Sequence, residues 1–455
     1  MTTTPPDLVG RHVTVAGAAR SGVAAAELLV RVGARVTLSE HRDGFAGASD
    51  LRAMGVQLEL GGHTVDTFAS ADLIVLSPGV PPDLEAVKAA RARGVPVIAE
   101  IELAFQHLRG RVIAITGTKG KSTTATLTGR MLDAAGFHAS VGGNIGLPLS
   151  AQVADSTPGT LHVVETSSFQ LEHIDRFHPW IAVMLNFSPD HLDRHRDVDA
   201  YRAAKARVFE NQLPEDFAVV NADDPMVLRL AQSARASVRL FGRHEGLARG
   251  TTIESDWVVS RSDVCTERLL PLSAVHLLGP HLIDDVLAAA AVGVLVGVTP
   301  GAMASAVEGF RGLEHAMEMV AEVQGVRFVN DSKATNVEAA LKSIESFETG
   351  VVPILGGRYK GGDFGRLRGP LMARATLVVT IGEAASQIED ALGAALPVRR
   401  AASMEEAVAV AFAAAQPSGV VLLAPACSSF DMFEDYASRG RRFKEEVSRL
   451  ETRAL

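Results

Sequence analysis

At 455 residues, 47% of them hydrophobic, the chain has room for about three domains, each with its own core. A net charge of −9, with Lys and Arg interspersed among acids and no basic block, excludes an extended nucleic-acid surface; a bound polyanion needs a local site. The N-terminus has neither a basic nor an apolar targeting stretch, and the longest apolar run, Val286–Val298, is too short to span a bilayer. Cys265 and Cys427 stand far apart without metal-ligand spacing. A soluble protein of a reducing cytoplasm is expected.

Abundant Gly and Ala with only 5% aromatics suit packed α/β layers. His12–Ala16 reads as a strand, followed by Gly17-Ala-Ala-Arg-Ser-Gly22, a helix to about Val32, and a strand from Arg35 that ends at Glu40. This opening is Rossmann-like. Ala19, however, replaces the second glycine of the dinucleotide fingerprint, so a nucleotide bound differently from NAD is favoured. Asp72–Leu76 is a strand running into Ser77-Pro-Gly-Val-Pro-Pro82, a turn where such sheets place ligands. A short strand at Pro96–Glu100 precedes a domain boundary.

The central region holds an apolar strand, Val112–Ile115, then Gly117-Thr-Lys-Gly-Lys-Ser-Thr123 and a helix over Ala125–Ala135. Glycines let backbone N–H groups converge on an anion, and the helix adds its positive end. Lys121 then neutralises phosphate charge, and Ser122 or Thr123 holds Mg²⁺. Ile115 occupies the place of the first P-loop glycine, so the loop is a shortened version. Val141-Gly-Gly-Asn-Ile-Gly146 reads as a second glycine-rich turn, with Asn144 its hydrogen-bonding side chain. Strand His162–Val164 delivers Glu165, and strand Ile181–Leu185 delivers Asn186, then Pro189-Asp-His-Leu-Asp193. Acids and His191 at adjacent strand ends beside a phosphate loop suit an Mg-nucleotide site. Lys205, on a helix over Ala200–Glu210, reads by pattern alone as a solvated lysine. Phe217–Val220 is a further strand, residues 235–277 form short strands and loops, and His281–Val298 and Pro300–Glu308 are helices.

From about Phe310 a hairpin (Met319–Val323, Val326–Val329) leads to Asn330-Asp-Ser-Lys-Ala-Thr-Asn336, too polar for an ordinary structural loop. A helix over Val337–Phe347 follows, then strand Val352–Leu355 and the glycine-flanked Lys360. Strands Leu377–Ile381 and Val420–Ala424 lead to Pro425-Ala-Cys-Ser-Ser-Phe-Asp431 and an amphipathic terminal helix. The alternation makes this a second doubly wound α/β unit.

Gly117-Thr-Lys-Gly-Lys-Ser-Thr123, Glu165-Thr-Ser-Ser-Phe-Gln170, Asp190-His-Leu-Asp193, Asn330–Asn336 and Pro425–Asp431 occur in one order, and together they resemble the Mur ligases over essentially the whole chain. The central loop is shared with folylpolyglutamate synthases; the last two stretches select the branch that adds D-glutamate. The resemblance implies a Rossmann-like UDP-sugar domain (1–99), a central P-loop-like ATPase domain (100–309) and a C-terminal Rossmann-like domain for D-glutamate (310–455). The implied reaction is ATP-dependent amide synthesis on UDP-N-acetylmuramoyl-L-alanine through an acyl phosphate, in peptidoglycan precursor synthesis, by a cytoplasmic monomer that binds no nucleic acid.

By the same resemblance, Gly117, Thr118, Lys119, Gly120, Lys121, Ser122, Thr123, Asp285 and Asp331 fall around ATP. Lys121, Glu165, His191 and Lys205 form the catalytic group. Ser122, Glu165, His191 and Lys205, the last as a carbamate, surround two Mg²⁺ ions. Arg20, Ser21, Glu40, His41, Arg42, Ser77 and Asn144 fall on the UDP-sugar side, and Lys333, Thr335, Lys360, Ser429 and Tyr436 around D-glutamate. The carbamate reverses the pattern-only reading of Lys205, because it turns a cation into an oxygen anion beside a metal.

Two departures lie on the ATP side. After Gly312-Leu-Glu-His315 the family has an arginine where this chain has Ala316, and its His-Asn-x-x-Asn segment here reads His281-Leu-Ile-Asp-Asp285. Rival readings are another Mur-type or folylpolyglutamate-type ligase, a nucleotide-binding regulator that makes no bond, and an NAD oxidoreductase, which Ala19 disfavours.

Overall fold

The structure, a computed structural model, describes residues 7–189, 194–244, 247–276 and 281–454. The described chain carries three sheets. In the first, β1 (His12–Ala16), β2 (Arg35–Glu40), β3 (Gln57–Leu60), β4 (Leu73–Leu76) and β5 (Val97–Ala99) lie in the order β3-β2-β1-β4-β5, all parallel. Both of its faces are covered: Val13 and Val15 pack with Ala25, Leu28 and Leu29 of the helix Arg20–Arg31, while Ala16 and Ile74 pack with Phe68, Val87 and Ala90. Strands buried on two sides read as unbroken apolar runs, which is why this one was legible.

The second sheet contains β6 (Arg111–Thr116), β7 (Ala139–Gly143), β8 (Leu161–Glu165), β9 (Ile181–Met184), β10 (Phe217–Asn221), β11 (Ser237–Phe241), β12 (Gly250–Glu254), β13 (Trp257–Arg261) and β14 (Thr266–Pro271). Its order is β14-β13-β12-β11-β10-β9-β6-β8-β7, parallel except for the antiparallel meander β12-β13-β14. The third sheet, β15 (Glu318–Val323), β16 (Val326–Asn330), β17 (Val351–Gly356), β18 (Val378–Ile381), β19 (Val398–Arg400) and β20 (Val420–Leu423), has the order β15-β16-β20-β17-β18-β19. Only its β15–β16 hairpin is antiparallel. Alternate residues of its central strands feed two apolar cores: Val420 and Leu422 one, Val421 and Leu423 the other.

The chain divides into two compact units, Met1–Val275 with Ile283–Gly309, and His276–Leu282 with Phe310–Leu455. Within the first unit the helix Glu100–Phe105 joins the first two sheets. Its Leu103 enters the core of the first sheet, and its Ile101 and Ala104 enter that of the second. Two fully buried acids lie on this short helix. Glu100 Oε1 accepts from the Ser150 amide at 2.6 Å. Glu102 accepts the amides of Asp175 (2.8 Å), Arg176 (3.0 Å) and Phe177 (2.8 Å), together with Gln106 Nε2 at 2.6 Å. Backbone donors on an inward turn are thereby satisfied without water.

Several sequence expectations are corrected. The strand expected over Pro96–Glu100 stops at Ala99, and Glu100 opens the helix. The helix after the phosphate loop starts at Lys121, four positions before Ala125, because its polar first turn hides the helical period. Val141–Gly143, expected as a turn, is the end of β7. Strands β3, β7 and β19 gave no clear signal; all three lie at sheet edges, half-exposed, where the apolar run of a buried strand is not required.

Replacing Glu102 by Ala would leave those buried amides without an acceptor. Glu102→Ala is expected to lower unfolding free energy by about 3 kcal/mol in denaturant melts, and Glu102→Gln by less, since its carbonyl still accepts. Equal stability of wild type and Glu102→Ala would show that the buried carboxylate contributes nothing.

Candidate active site

The loop between β6 and the helix Lys121–Ala134 turns on two glycines that a side chain would not fit. At Gly117 (φ 152°) a Cβ would come within 3.0 Å of Leu185 Cβ, and at Gly120 (φ 83°) it would strike the Asp285 carboxyl. Asn186, at the end of β9, clamps the loop. Its Oδ1 accepts from the amides of Thr118 (3.1 Å) and Lys119 (2.9 Å), and its Nδ2 donates to Lys119 O at 3.1 Å. Thr118 Oγ1 adds a bond to Ser188 O at 3.1 Å. Lys121 Nζ folds back onto the carbonyls of Gly117 (3.1 Å) and Thr118 (3.0 Å). Lys205, only 2% exposed, reaches the same Gly117 carbonyl at 2.7 Å, with its ammonium 4.8 Å from the centre of the Tyr201 ring. Two ammonium groups therefore converge on one oxygen. Thr123 lies half-buried on the first turn of the helix.

Glu165 closes the arrangement. At 2% exposure it accepts from Ser122 Oγ at 2.6 Å through Oε2 and from Asn144 Nδ2 at 3.0 Å through Oε1. The partner expected beside it, His191, lies outside the described residues, as does the rest of Asp190–Asp193.

Asn144 also lines a cleft of about 640 Å³ with Arg20, Ser21, Glu40, His41, Arg42 and Ser77, so all the residues expected on the UDP-sugar side share one cavity. It lies outside the carboxyl ends of β1, β2 and β4, at the point where the strand order reverses. Glu40, 2% exposed, holds Arg42 through Nε (2.9 Å) and Nη2 (3.1 Å), His41 Nδ1 at 2.7 Å, and the Ala18 amide at 2.7 Å. The hydrogen bonds from Arg42 lead in pulling its carboxyl down to about 2, against the opposing effect of burial. Arg20 Nη1 reaches Gly146 O at 3.1 Å, tying the first βα turn to the loop after β7. Sequence reading missed His63 on the cleft wall and the clamp role of Asn186. For Asn186, an amide at a strand's carboxyl end was the available signal.

In the second unit, three loops leave the adjacent strands β16, β20 and β17. Much of Asn330–Asn336 is committed to holding its own loop. Asn330 Nδ2 bonds His315 Nδ1 at 2.9 Å and Glu318 Oε2 at 3.0 Å. Asp331 accepts from the Met317 amide at 3.2 Å and from Ser343 Oγ, and burial raises its pKa. Ser332 Oγ donates to Tyr436 O at 2.7 Å, and Asn336 caps the next helix through the Ala339 amide at 2.8 Å. Lys333, Thr335 and Lys360 make no side-chain hydrogen bond among the described residues; both lysines are exposed and Thr335 is half-buried. Ser429 is buried at 2% exposure, and Tyr436, 41% exposed, meets His315 edge-on. The structure thus gathers Lys333, Thr335, Lys360 and Ser429 on neighbouring loops and turns Asp331 inward.

Against known families, residues 11–99 match the Mur ligase MurD-like N-terminal domain, 115–293 the Mur ligase middle domain and 315–427 the Mur ligase glutamate ligase domain. A UDP-N-acetylmuramoylalanine–D-glutamate ligase of Acidobacterium capsulatum is 47% identical over 447 residues, covering 97% of each chain. The protein of the same name from Koribacter versatilis is 44% identical, covering 98% of each chain. Among solved structures, the UDP-N-acetylmuramate–alanine ligase MurC of Thermotoga maritima aligns with a TM-score of 0.59 at 19% identity, covering 97% of this chain and 100% of that one. A pseudomurein peptide ligase of Methanothermus fervidus aligns at 0.58 and 17%, over 97% and 100%. These two show a shared fold.

Asp285 departs most visibly from expectation. It is 2% exposed beneath Gly120, accepts from Thr124 Oγ1 at 3.2 Å, and its Oδ2 is buried without a partner among the described residues. Burial drives its pKa well above 3.8, and Asp284 adds to this, while Thr124 and the Lys121 charge oppose it. The folded chain therefore keeps a proton that the unfolded chain releases above its ordinary pKa of 3.8, so this site loses stability as pH rises above that value. An Asn there has no proton to lose. Asp285→Asn is expected to gain in melting temperature over wild type as pH goes from about 5 to about 8. A difference independent of pH would show that Asp285 is ionised in the fold throughout.

Proposed function

Because the chain belongs to the Mur ligase family, we propose that it is an ADP-forming acid–D-amino-acid ligase that adds D-glutamate to UDP-N-acetylmuramoyl-L-alanine in peptidoglycan precursor synthesis. Near-complete relatives at 44 and 47% identity support the choice of amino acid. The observation that carries the reaction class is Glu165. One buried carboxylate accepts from Ser122 on the Gly117–Thr123 loop and from Asn144 on the cleft, which supports a reading in which the phosphoryl donor and the acceptor meet at a single group.

A carboxylate is a poor electrophile, and phosphorylation supplies its leaving group. In this reading the cleft holds the UDP-sugar with its alanyl carboxylate toward Asn144. An oxygen of that carboxylate attacks the terminal phosphorus of ATP, the bond to ADP breaks, and an acyl phosphate forms. The neutral amine of D-glutamate then adds to the acyl carbon, loses a proton, and expels phosphate as the amide forms. Both transition states are strongly anionic, so Lys121 and the amides of the Gly117–Thr123 loop act by stabilising charge as it moves.

The family is ATP-dependent and uses Mg²⁺. The hydroxyl of Ser122 and the buried carboxylate of Glu165 fit a hard divalent cation. With His191 and Lys205 they are the residues that would hold two Mg²⁺ ions, which when bound offset phosphate charge. Lys205 fits that set as a carbamate, formed when its neutral amine adds CO₂ and releases a proton. The modification would turn one of the two ammonium groups on Gly117 O into an anion and relieve their repulsion.

The remaining assignments follow the same division. Residues 1–99 grip the nucleotide sugar through Arg20, Ser21, Glu40, His41, Arg42 and Ser77. Residues 100–309 hold ATP through Gly117–Thr123, with Asp285 beneath Gly120 supporting that loop rather than facing the nucleotide, and residues 310–455 present D-glutamate through Lys333, Thr335, Lys360, Ser429 and Tyr436. Asp331 is assigned to the ATP ribose, a role for which its inward bonds to Met317 and Ser343 would have to release. On the family likeness the enzyme is assigned to the cytoplasm as a monomer; no helix among the described residues is long and apolar enough to cross a membrane.

Phosphate release measured with ATP, Mg²⁺, UDP-N-acetylmuramoyl-L-alanine and a panel of amino acids should rise with D-glutamate; release indifferent to it would sink the assignment. Lys205→Ala should lose at least about 100-fold in kcat and recover part of it with added formate or acetate, which return an oxygen anion. A folded Lys205→Ala protein that no carboxylate rescues argues against the carbamate.

A further inference from the structure

The C-terminal helix Tyr436–Ala454 carries Arg439, which is 1% exposed and lies beneath the loops that leave three neighbouring strands. Its Nε donates to Ser332 Oγ at 2.9 Å and its Nη2 to Ser332 O at 2.8 Å, while Nη1 donates to Cys427 O at 3.1 Å. Ser332 follows β16 and Cys427 follows β20. Gly357, after β17, runs so close that a Cβ there would sit 3.2 Å from Nη1. One guanidinium therefore meets the roots of all the loops that carry Lys333, Thr335, Lys360 and Ser429.

Each of these acceptors is a neutral oxygen. Arg439 pairs with no carboxylate among the described residues; Asp431, which acts on it through space, accepts from the Glu383 amide through Oδ2 at 3.0 Å. The Cys427 thiol offers no counter-charge, because burial pushes it up to about 12. Burial brings Arg439 down to about 10, so it stays a cation at neutral pH. A buried charge whose hydrogen bonds all end on neutral oxygens is costly even with Asp431 acting through space, and bridging carbonyls does not by itself require a full charge. The nearby lysines, Lys333 and Lys360, are cations as well. At these loops Arg439, Lys333 and Lys360 stand against the Asp431 carboxylate, and a bound anion would offset the remaining positive charge.

We propose that Arg439 is a positioning residue for the amino-acid substrate, holding the loops after β16 and β20 in register and lending their site a fixed positive charge that selects an acceptor with two carboxylates. The inference rests on the D-glutamate reading above. A lysine keeps the charge but lacks the planar fork that spans Ser332 and Cys427, whereas methionine fills the volume without charge or donors.

The test compares full-length wild type, Arg439→Lys and Arg439→Met by thermal melting and by phosphate release, with KM measured separately for D-glutamate, ATP and the UDP-sugar. Arg439→Met should raise KM for D-glutamate by about 10- to 100-fold while the other two stay within about twofold, and Arg439→Lys should fall between. Arg439→Met should also narrow the preference for D-glutamate over D-glutamine. An unchanged KM for D-glutamate, equal rises in all three, or loss of folding in both variants overturns the proposal. A wild-type enzyme that ignores D-glutamate overturns instead the function on which it rests.

Discussion

The geometry of the first unit depends on the buried carboxylate of Glu165. Its position follows from strand register: β8 lies between β6 and β7, pairing Glu165 with Ile115 on one side and with Gly143 on the other. The residues that follow those partners are the phosphate loop and Asn144. At Gly143, φ is 98° and a Cβ would stand 2.5 Å from the Glu165 carbonyl, so only glycine lets the strand end so close. Gly143 therefore serves strand packing around Glu165, in contrast to Gly117 and Gly120, which shape the loop before the Lys121–Ala134 helix.

Polar groups also join the first two sheets. The acids on the Glu100–Phe105 helix take backbone amides of the central sheet's loops, and the Arg20 contact to Gly146 crosses between the same two layers. Glu100 is buried enough that its carboxyl is pushed up to about 7, with the Ser150 amide drawing it back. Apolar contacts such as Leu103 and Ile101 supply most of the attraction but tolerate sliding. Hydrogen bonds to buried carboxylates do not, and they keep Asn144 on both the cleft and Glu165.

The second unit separates residues that shape a loop from residues that face outward. Within Asn330–Asn336, the amides, the serine and the aspartate bond to their own unit, while Lys333 and Thr335 remain available. The same division holds after β20, where Ser428 Oγ bonds Arg358 O at 2.9 Å and Ser429 follows it. Polar density in a motif thus marks a loop that must be held rigid as much as one that must bind.

Fold class, domain order and the central strands were legible in the amino-acid sequence, because strands buried on both faces must be apolar throughout and glycine-rich turns have few alternative uses. The loop after β6, Glu165 and the C-terminal loops stood out in the sequence for the same reason: each stands at the carboxyl end of such a strand. Edge strands β3, β7 and β19 were not, since half-exposure relaxes the pattern that reveals them. Tertiary structure alone decided that Lys121 and Lys205 share one carbonyl, that Asp285 is shut beneath Gly120, and that Arg439 lies under three loops, two of them far from it in sequence. These facts depend on burial and on approach between distant segments. A side chain's local sequence does not encode whether it meets water or another part of the chain.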